Sequence, residues 1–449
     1  MDGVSMLGMS ESKPSSVRHT RAIQRDRSKR PPAAPSAEAV EGRLTDLIHP
    51  ATYNQLVFYQ QLGLRERILT LPVMVAFVLS LIWRQVGSVG EAVRALQREG
   101  FLWVSPVHVS QQALSQRLRT FPPELFERVL LDVLSLMHER VASYKRPLPP
   151  AVAHAKRHFS QVLALDGSTL DVLLRKVGLL RDLPKAPLAG RIAALLDIAS
   201  QLPAQIWYEE DSQAHDQTFW EQALASLHPN TLILFDLGFL NHGIFDRLTE
   251  QAVGFVTRAK TNSVYQVERT IRQEANLHDR VVWLGGKASR CQYPLRLVEY
   301  LYQGKWYRYL TNVLDPQVLP AEYVVALYYQ RWRIEDALGT VKRLLGLAYF
   351  WVGSSNGVQV QLWATWILYA VLVDLTQAVA EKLNQPFRAL SLEMVYRGLY
   401  HFTQAYHRGE TTDPITYLAA PEQRDLGIVK RKRPTATTRL AYLTPLRQP

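Results

Sequence analysis

The segment YYQRWRIEDALGTVKRLLGL, residues 328–347, sets one carboxylate, Glu335, among the cations of a basic helical pattern. At about 100° per residue with Glu335 as origin, Tyr328, Arg331 and Lys342 fall at about 20°, −40° and −20°, an arc of roughly 60°. Leu327, Ile334, Leu338, Val341 and Leu345 form a neighbouring stripe centred near about −90°, the expected buried face. Glu335 is therefore expected at the seam between core and groove, with Tyr328 and Lys342 roughly 10 Å to either side along the axis. That spread suits side chains gripping phosphates on both sides of a catalytic carboxylate. An ordinary helical ion pair between Arg331 and Glu335 fits the same spacing. Asp336 lies about 100° further round, away from the arc.

Two further carboxylates end strand-like runs. QVLALD (residues 161–166) closes on Asp166 and TLILFD (231–236) on Asp236. An acid just past a buried strand sits at the ligand-facing edge of an α/β domain. Gly167 follows the first and Leu237-Gly238 the second, so the backbone there is permissive and uncluttered. One such Asp is ordinarily a turn former or helix cap; two after separate strands of one sheet say more. Three carboxylates from two strand ends and a helix can bind two divalent cations. One would activate the attacking water or hydroxyl, and the other would stabilise the leaving oxygen of an in-line phosphoryl displacement. Magnesium suits this work, since it keeps waters and accepts phosphate oxygens. Glu209, Glu210 and Asp211 offer further metal ligands or a solvated turn, the commoner role of such a run, and His242 a proton-transfer group near Asp236 or a loop histidine without a chemical role.

The elements that must position these acids follow from patterning. Residues 190–197 and 204–209 read as two more strands, 216–228 as an amphipathic helix, 239–248 as a second helix and 254–260 as a strand. Between 261 and 315 the pattern is strands alone, with a hairpin of residues 295–302 and 305–313 about a Gln303-Gly304 turn. The helix 321–347 follows. Upstream, residues 1–42 are rich in Ser, Pro, Ala and Arg and read as a disordered basic arm. Residues 43–142 are helical in pattern. Within them Ser110 starts a helix carrying Gln111, Gln112, Ser115, Gln116, Arg117 and Arg119, residue types that reach base edges and phosphates, before Pro122-Pro123. KRPLPP (145–150) is a stiff linker by composition.

Bulk properties narrow the field. The chain has 449 residues, 47% of them apolar, enough for several domains with buried cores. A net charge of +12 points to a polyanionic partner. Cys291 is the only cysteine, which excludes a disulfide framework and a cysteine zinc site and fits a reducing cytoplasm. The apolar runs 68–83 and 362–373 fall short of the roughly 18–20 residues of a membrane span. They are expected to be core helices. Residues 1–16 lack the apolar stretch of a signal peptide.

The spacing Tyr-x2-Arg-x3-Glu-x6-Lys, met by Tyr328, Arg331, Glu335 and Lys342, resembles the signature of the insertion sequence four family of DDE transposases. Asp166 in LALDGS and Asp236 in FDLGF are similar to that family's first and second acids, and FVTRAKTN (255–262) to its stretch after the second. The resemblance covers residues 155–380 well and the helical N-terminal part more loosely. It implies an α/β fold: an RNase H-like (retroviral-integrase-like) catalytic core at 155–260 and 316–380 with a β-rich insertion at 261–315. A helical DNA-binding region at 43–142, a linker at 143–154 and a C-terminal helical region with a basic tail at 381–449 complete the expected organisation.

The same resemblance implies cut-and-paste DNA transposition, with binding of terminal inverted repeats, cleavage and strand transfer. Asp166, Asp236 and Glu335 would ligate two Mg2+ ions, with Mn2+ able to substitute. Tyr328, Arg331 and Lys342 would hold phosphates of the transposon end. In related enzymes that cut through a DNA hairpin, a Trp of the insertion stacks on a flipped base. Trp306 is the candidate here, with stacking worth about 1–3 kcal/mol per base; cross-strand packing is the competing role, and Tyr307 and Tyr309 are competing residues. Gln112, Gln116, Arg117 and Arg119 are the candidate DNA readers of the N-terminal region. The implied partners are double-stranded transposon-end and target DNA and a second copy in a paired-end complex, with no membrane. A two-metal nuclease without strand transfer and a catalytically silent, transposase-derived DNA-binding regulator remain as alternatives.

Overall fold

A computed structural model of the protein describes residues 38–64, 66–170, 190–211, 214–286, 290–346, 351, 354–430 and 439–445. Two basic stretches that could contact DNA, the Arg and Lys residues at 18–30 of the arm and most of KRKR at 430–433 of the tail, lie outside these residues.

The apolar runs that read as strands do form a sheet. β1 (Gln161–Thr169), β2 (Arg191–Asp197), β3 (Pro203–Glu209), β4 (Thr231–Phe235) and β5 (Gly254–Arg258) stand in the spatial order 3-2-1-4-5. β1, β4 and β5 run parallel, whereas β2 pairs antiparallel with β1 and with β3. The central residues of the parallel strands, 162–165, 232–235 and 255–256, are apolar and buried because helices cover both their faces. This mixed order is consistent with an RNase H-like core. The insertion does not form a separate body. β6 (Tyr265–Gln273), β7 (Leu277–Leu284), β8 (Leu295–Tyr302) and β9 (Lys305–Thr311) extend the same sheet to nine strands, with β9 antiparallel to β5.

Among the described residues, seven helices precede the sheet: α1 (Glu38–Asn54), α2 (Leu56–Gln61), α3 (Leu71–Trp83), α4 (Val89–Arg98), α5 (Gln111–Thr120), α6 (Pro123–Ser143) and α7 (Pro150–His158). α1 thus begins inside the stretch that composition assigns to the basic arm. α8 (Trp220–Ser226) and α9 (His242–Glu250) cover one sheet face through Trp220, Phe235, Phe245 and Phe255. The other face belongs to a larger core shared by the N-terminal helices, by α10 (Ala321–Gln330) and α11 (Trp332–Gly339), and by the C-terminal α12 (Ser355–Lys382), α13 (Leu392–His407) and α14 (Pro414–Ala419).

α12, 28 residues long, is the axis of that core. It is long and apolar enough to cross a membrane, yet its apolar window is wholly buried inside the fold. α6 lies along it. Its one buried acid, Asp374, accepts from Arg43 (2.6 Å), Arg140 (3.1 Å) and the Tyr144 hydroxyl (2.8 Å), so α1 and α6 are tied to α12 by charge as well as packing. Tyr369 and Gln377 donate to the carbonyls of Gln201 and Ser200, anchoring α12 to the β2–β3 turn.

One expected element is different. The pattern predicts a single helix over 321–347, but the chain divides at Arg331. There the Arg331 amide donates to Tyr328 O and the Ile334 amide to Arg331 O, three-residue bonds that tighten the turn. Beyond α11, Thr340–Leu344 form a π-helical turn closed by a five-residue bond from the Leu345 amide to Thr340 O at 3.1 Å. The predicted core stripe survives both irregularities: Leu327, Ile334, Leu338, Val341 and Leu345 are all buried.

Candidate active site

β1 and β4 are adjacent and parallel, and Leu165 pairs with Phe235 at the last shared rung. Asp166 and Asp236 therefore follow at the same level on neighbouring strands. Side chains alternate across a strand. Leu163 and Leu165 face the α8–α9 side and Val162 and Ala164 the other, so Asp166 projects toward the helix that carries Glu335. β4 stops there: Asp236 caps the short turn Leu237–Phe239, its Oδ1 accepting from the Gly238 amide at 2.8 Å. Asp166 Oδ1 accepts from the Gly167 amide at 2.8 Å.

α11 packs over β1 and β2, and Arg331 at its start joins two of the acids. Its guanidinium donates to Asp166 Oδ2 and to Glu335 Oε1, each at 2.9 Å. Arg331 is only 4% exposed. It also lies 5.7 Å from the Tyr328 ring centroid and 5.6 Å from that of Trp332. Its Nε is buried and meets no hydrogen-bond partner among the described residues.

Burial pushes the Asp166 carboxyl up to about 7; Arg331 pulls against that rise, while the charges of Asp236 and Glu335 add to it. Burial also works against the charge of Arg331, but Asp166, Tyr328, Glu335 and Asp236 together hold its pKa above the ordinary value. A cation is thus what this carboxylate group requires, and Arg331 supplies it. The donors are all hard oxygens, the chemistry that divalent Mg2+ or Mn2+ takes. As the side chains stand, no group of three or more His, Cys, Asp or Glu among the described residues is gathered closely enough to hold a metal ion. The acids fit the ion by type and charge, with Arg331 bridging two of them.

The remaining candidates are placed as follows. Lys342 Nζ donates to Ser168 Oγ at 2.6 Å, two residues beyond Asp166, which brings it to the site across the π turn. Tyr328 is 6% exposed and packs on Tyr309, with ring centroids 5.2 Å apart; burial pushes its hydroxyl pKa up. Asp336 pairs with Arg333 at 3.0 Å, its side chain 66% exposed. Trp306 stacks on His278 at 4.5 Å. Alternation along β9 sets Trp306 on the sheet face opposite Tyr307 and Tyr309, and it is Tyr309 that meets Tyr328. In α5, Leu114 and Leu118 are buried and Gln112, Gln116 and Arg119 are exposed. Arg117 turns inward, donating to the Tyr59 hydroxyl at 2.9 Å with its guanidinium over Phe121.

Two neighbours of the acids escape a reading of the sequence. Ser168 gives Lys342 its partner, and Asp216 lies against the glycines that follow both strand-end acids. The glycines were the available signal: each leaves room where a Cβ would meet Asp216.

Residues 189–371 match the family model of the transposase DDE domain. The match takes in Asp236, Tyr328, Arg331, Glu335 and Lys342 and begins after Asp166. A protein of Sinorhizobium fredii named as a transposase, y4zB, is 32% identical over 161 residues, 34% of this chain and 43% of that protein. A protein of Geobacillus stearothermophilus named as a transposase for insertion sequence element IS5377 is 25% identical over 271 residues, 58% of this chain and 65% of that protein. The chain thus spans less than two thirds of the length of either relative. The domain match and both relatives support a DDE transposase.

Proposed function

We propose that the chain is an insertion-sequence transposase of the insertion sequence four type, which binds terminal inverted repeats and carries out metal-dependent cleavage and strand transfer on double-stranded DNA. The observation that supports this most is the level placement of Asp166 and Asp236 on adjacent parallel strands, with Glu335 joined to Asp166 through Arg331. Asp166, Asp236 and Glu335 would hold Mg2+, or Mn2+ in its place, which supplies Lewis acidity for phosphoryl displacement. Arg331, whose guanidinium bridges Asp166 and Glu335, would take a phosphate oxygen of the transposon end. Lys342 and Tyr328 would flank that phosphate, and Trp306 is kept as the base-stacking candidate.

The N-terminal helices would bind the ends through the exposed Gln112, Gln116 and Arg119 of α5, with Arg117 supporting that helix from beneath. Two copies would pair two ends, in the cytoplasm and on the nucleoid when DNA-bound. Purified protein with magnesium should cleave and join DNA bearing the inverted repeats that flank its gene. Asp166→Ala, Asp236→Ala and Glu335→Ala should each abolish cleavage while end binding persists. Normal cutting by Glu335→Ala would sink the assignment. Cleavage without joined product would indicate a nuclease, and end binding without cleavage by the unmutated protein a regulator.

A further inference from the structure

The geometry points to Asp216, held by Arg191, as a positioning residue that sets the spacing of the two strand ends bearing Asp166 and Asp236; this rests on the reading above. Asp216 opens the turn Asp216–Phe219, far in sequence from both acids. Arg191, the first residue of β2 and the register partner of Thr169, donates to Ala214 O at 2.8 Å and forms an ion pair with the Asp216 carboxylate. That fixes the carboxylate over the ends of β1 and β4. A Cβ on Gly238 would stand 2.9 Å from Asp216 Oδ2 and 3.1 Å from Asp236 Oδ1. A Cβ on Gly167 would collide with Asp216 Oδ1. Neither glycine has a positive φ, so what each supplies is space and not conformational freedom. The Asp216 carboxylate fills the notch between the backbones that follow the two acids.

A fourth carboxylate beside three others is electrostatically costly unless neutralised. Arg191 does this: the side chains of the pair are 18% and 23% exposed, so solvent screens them only in part. The pair therefore acts as a neutral spacer, and its charge is what keeps it seated. An uncharged side chain of equal size could still accept from Arg191 but would lose the ion pair, loosening its hold on the two strand ends.

The test uses the full-length protein, magnesium and end-bearing duplex DNA. Asp216→Asn keeps the shape and removes the charge; Gly238→Ala intrudes on the same notch. Each should cleave at least about tenfold more slowly at saturating DNA, the scale seen when residues that orient metal ligands are changed. The half-saturating magnesium concentration should rise several-fold, while end affinity and melting temperature stay at the unmutated values. Wild-type rate and magnesium dependence in both variants would overturn the proposal. So would a loss that tracks melting temperature or end affinity. Asp166→Ala serves as the control: if it also cuts normally, the site assignment itself has failed. If it is dead while Asp216→Asn is unaffected, only the role of Asp216 falls.

Discussion

Asp166 and Glu335 share one guanidinium, so a change at Arg331 is felt at both. Arg331→Lys keeps the charge, but an ammonium cannot reproduce two separately directed bonds and a planar face toward Tyr328 and Trp332. Cleavage by that variant, measured in a gel assay on end-bearing DNA, should fall by about tenfold or more. Glu335→Gln should cost more than about 100-fold, since it removes a proposed ligand and not merely its support, whereas Asp336→Asn should stay within about threefold. Equal effects at 335 and 336 would refute the separation. That separation is legible in the sequence because helical phase alone turns Asp336 away from Arg331, and Arg333 three residues earlier takes it up. Asp216 is not legible, because a lone acid at a helix start reads as a cap and its meaning depends on two glycines brought from elsewhere in the chain.

At the level of elements, apolar runs ending on acids announce β1 and β4, and the insertion hairpin announces itself by alternation about Gln303-Gly304. The division of the Glu335 helix at Arg331 and the π turn at Thr340–Leu344 carry no proline, and only the second has a local marker, Gly339 at its start. They arise from tertiary demands: Arg331 must reach Asp166 while Leu327 and Ile334 stay in the core. The tie between α1, α6 and α12 is equally hidden, since Arg43, Arg140 and Asp374 lie far apart in the chain. Asp374→Ala removes a fully buried carboxylate and leaves Arg43, Arg140 and the Tyr144 hydroxyl without their shared acceptor. Breaking buried pairs costs roughly 3–5 kcal/mol, and the lower end applies here because Arg43 and Arg140 are partly exposed and can hydrate. Urea denaturation should show that loss; a change below about 1 kcal/mol would mean the network contributes no more than surface pairs do.

For the molecule as a whole, composition reads as a string of regions, yet the N-terminal helices, one face of the sheet and the C-terminal helices share one core. Sequence pattern shows which faces are apolar but not which partner covers them. A fragment beginning at residue 150 would uncover the side of α12 against which α6 packs. It should be insoluble or aggregate on gel filtration, whereas a stable monomeric fragment would show that the core divides. The continuity of the nine-stranded sheet carries a mechanical consequence. The insertion joins β5 through the rungs Val256–Thr311, Thr257–Leu310 and Arg258–Tyr309, and β5 is in turn bonded to β4, at whose end Asp236 stands. The insertion is therefore a cantilever and not a hinged flap. A load on its outer strands is transmitted as shear along β5 and β4, so whatever grips the far end of the sheet also tensions the strand that presents Asp236.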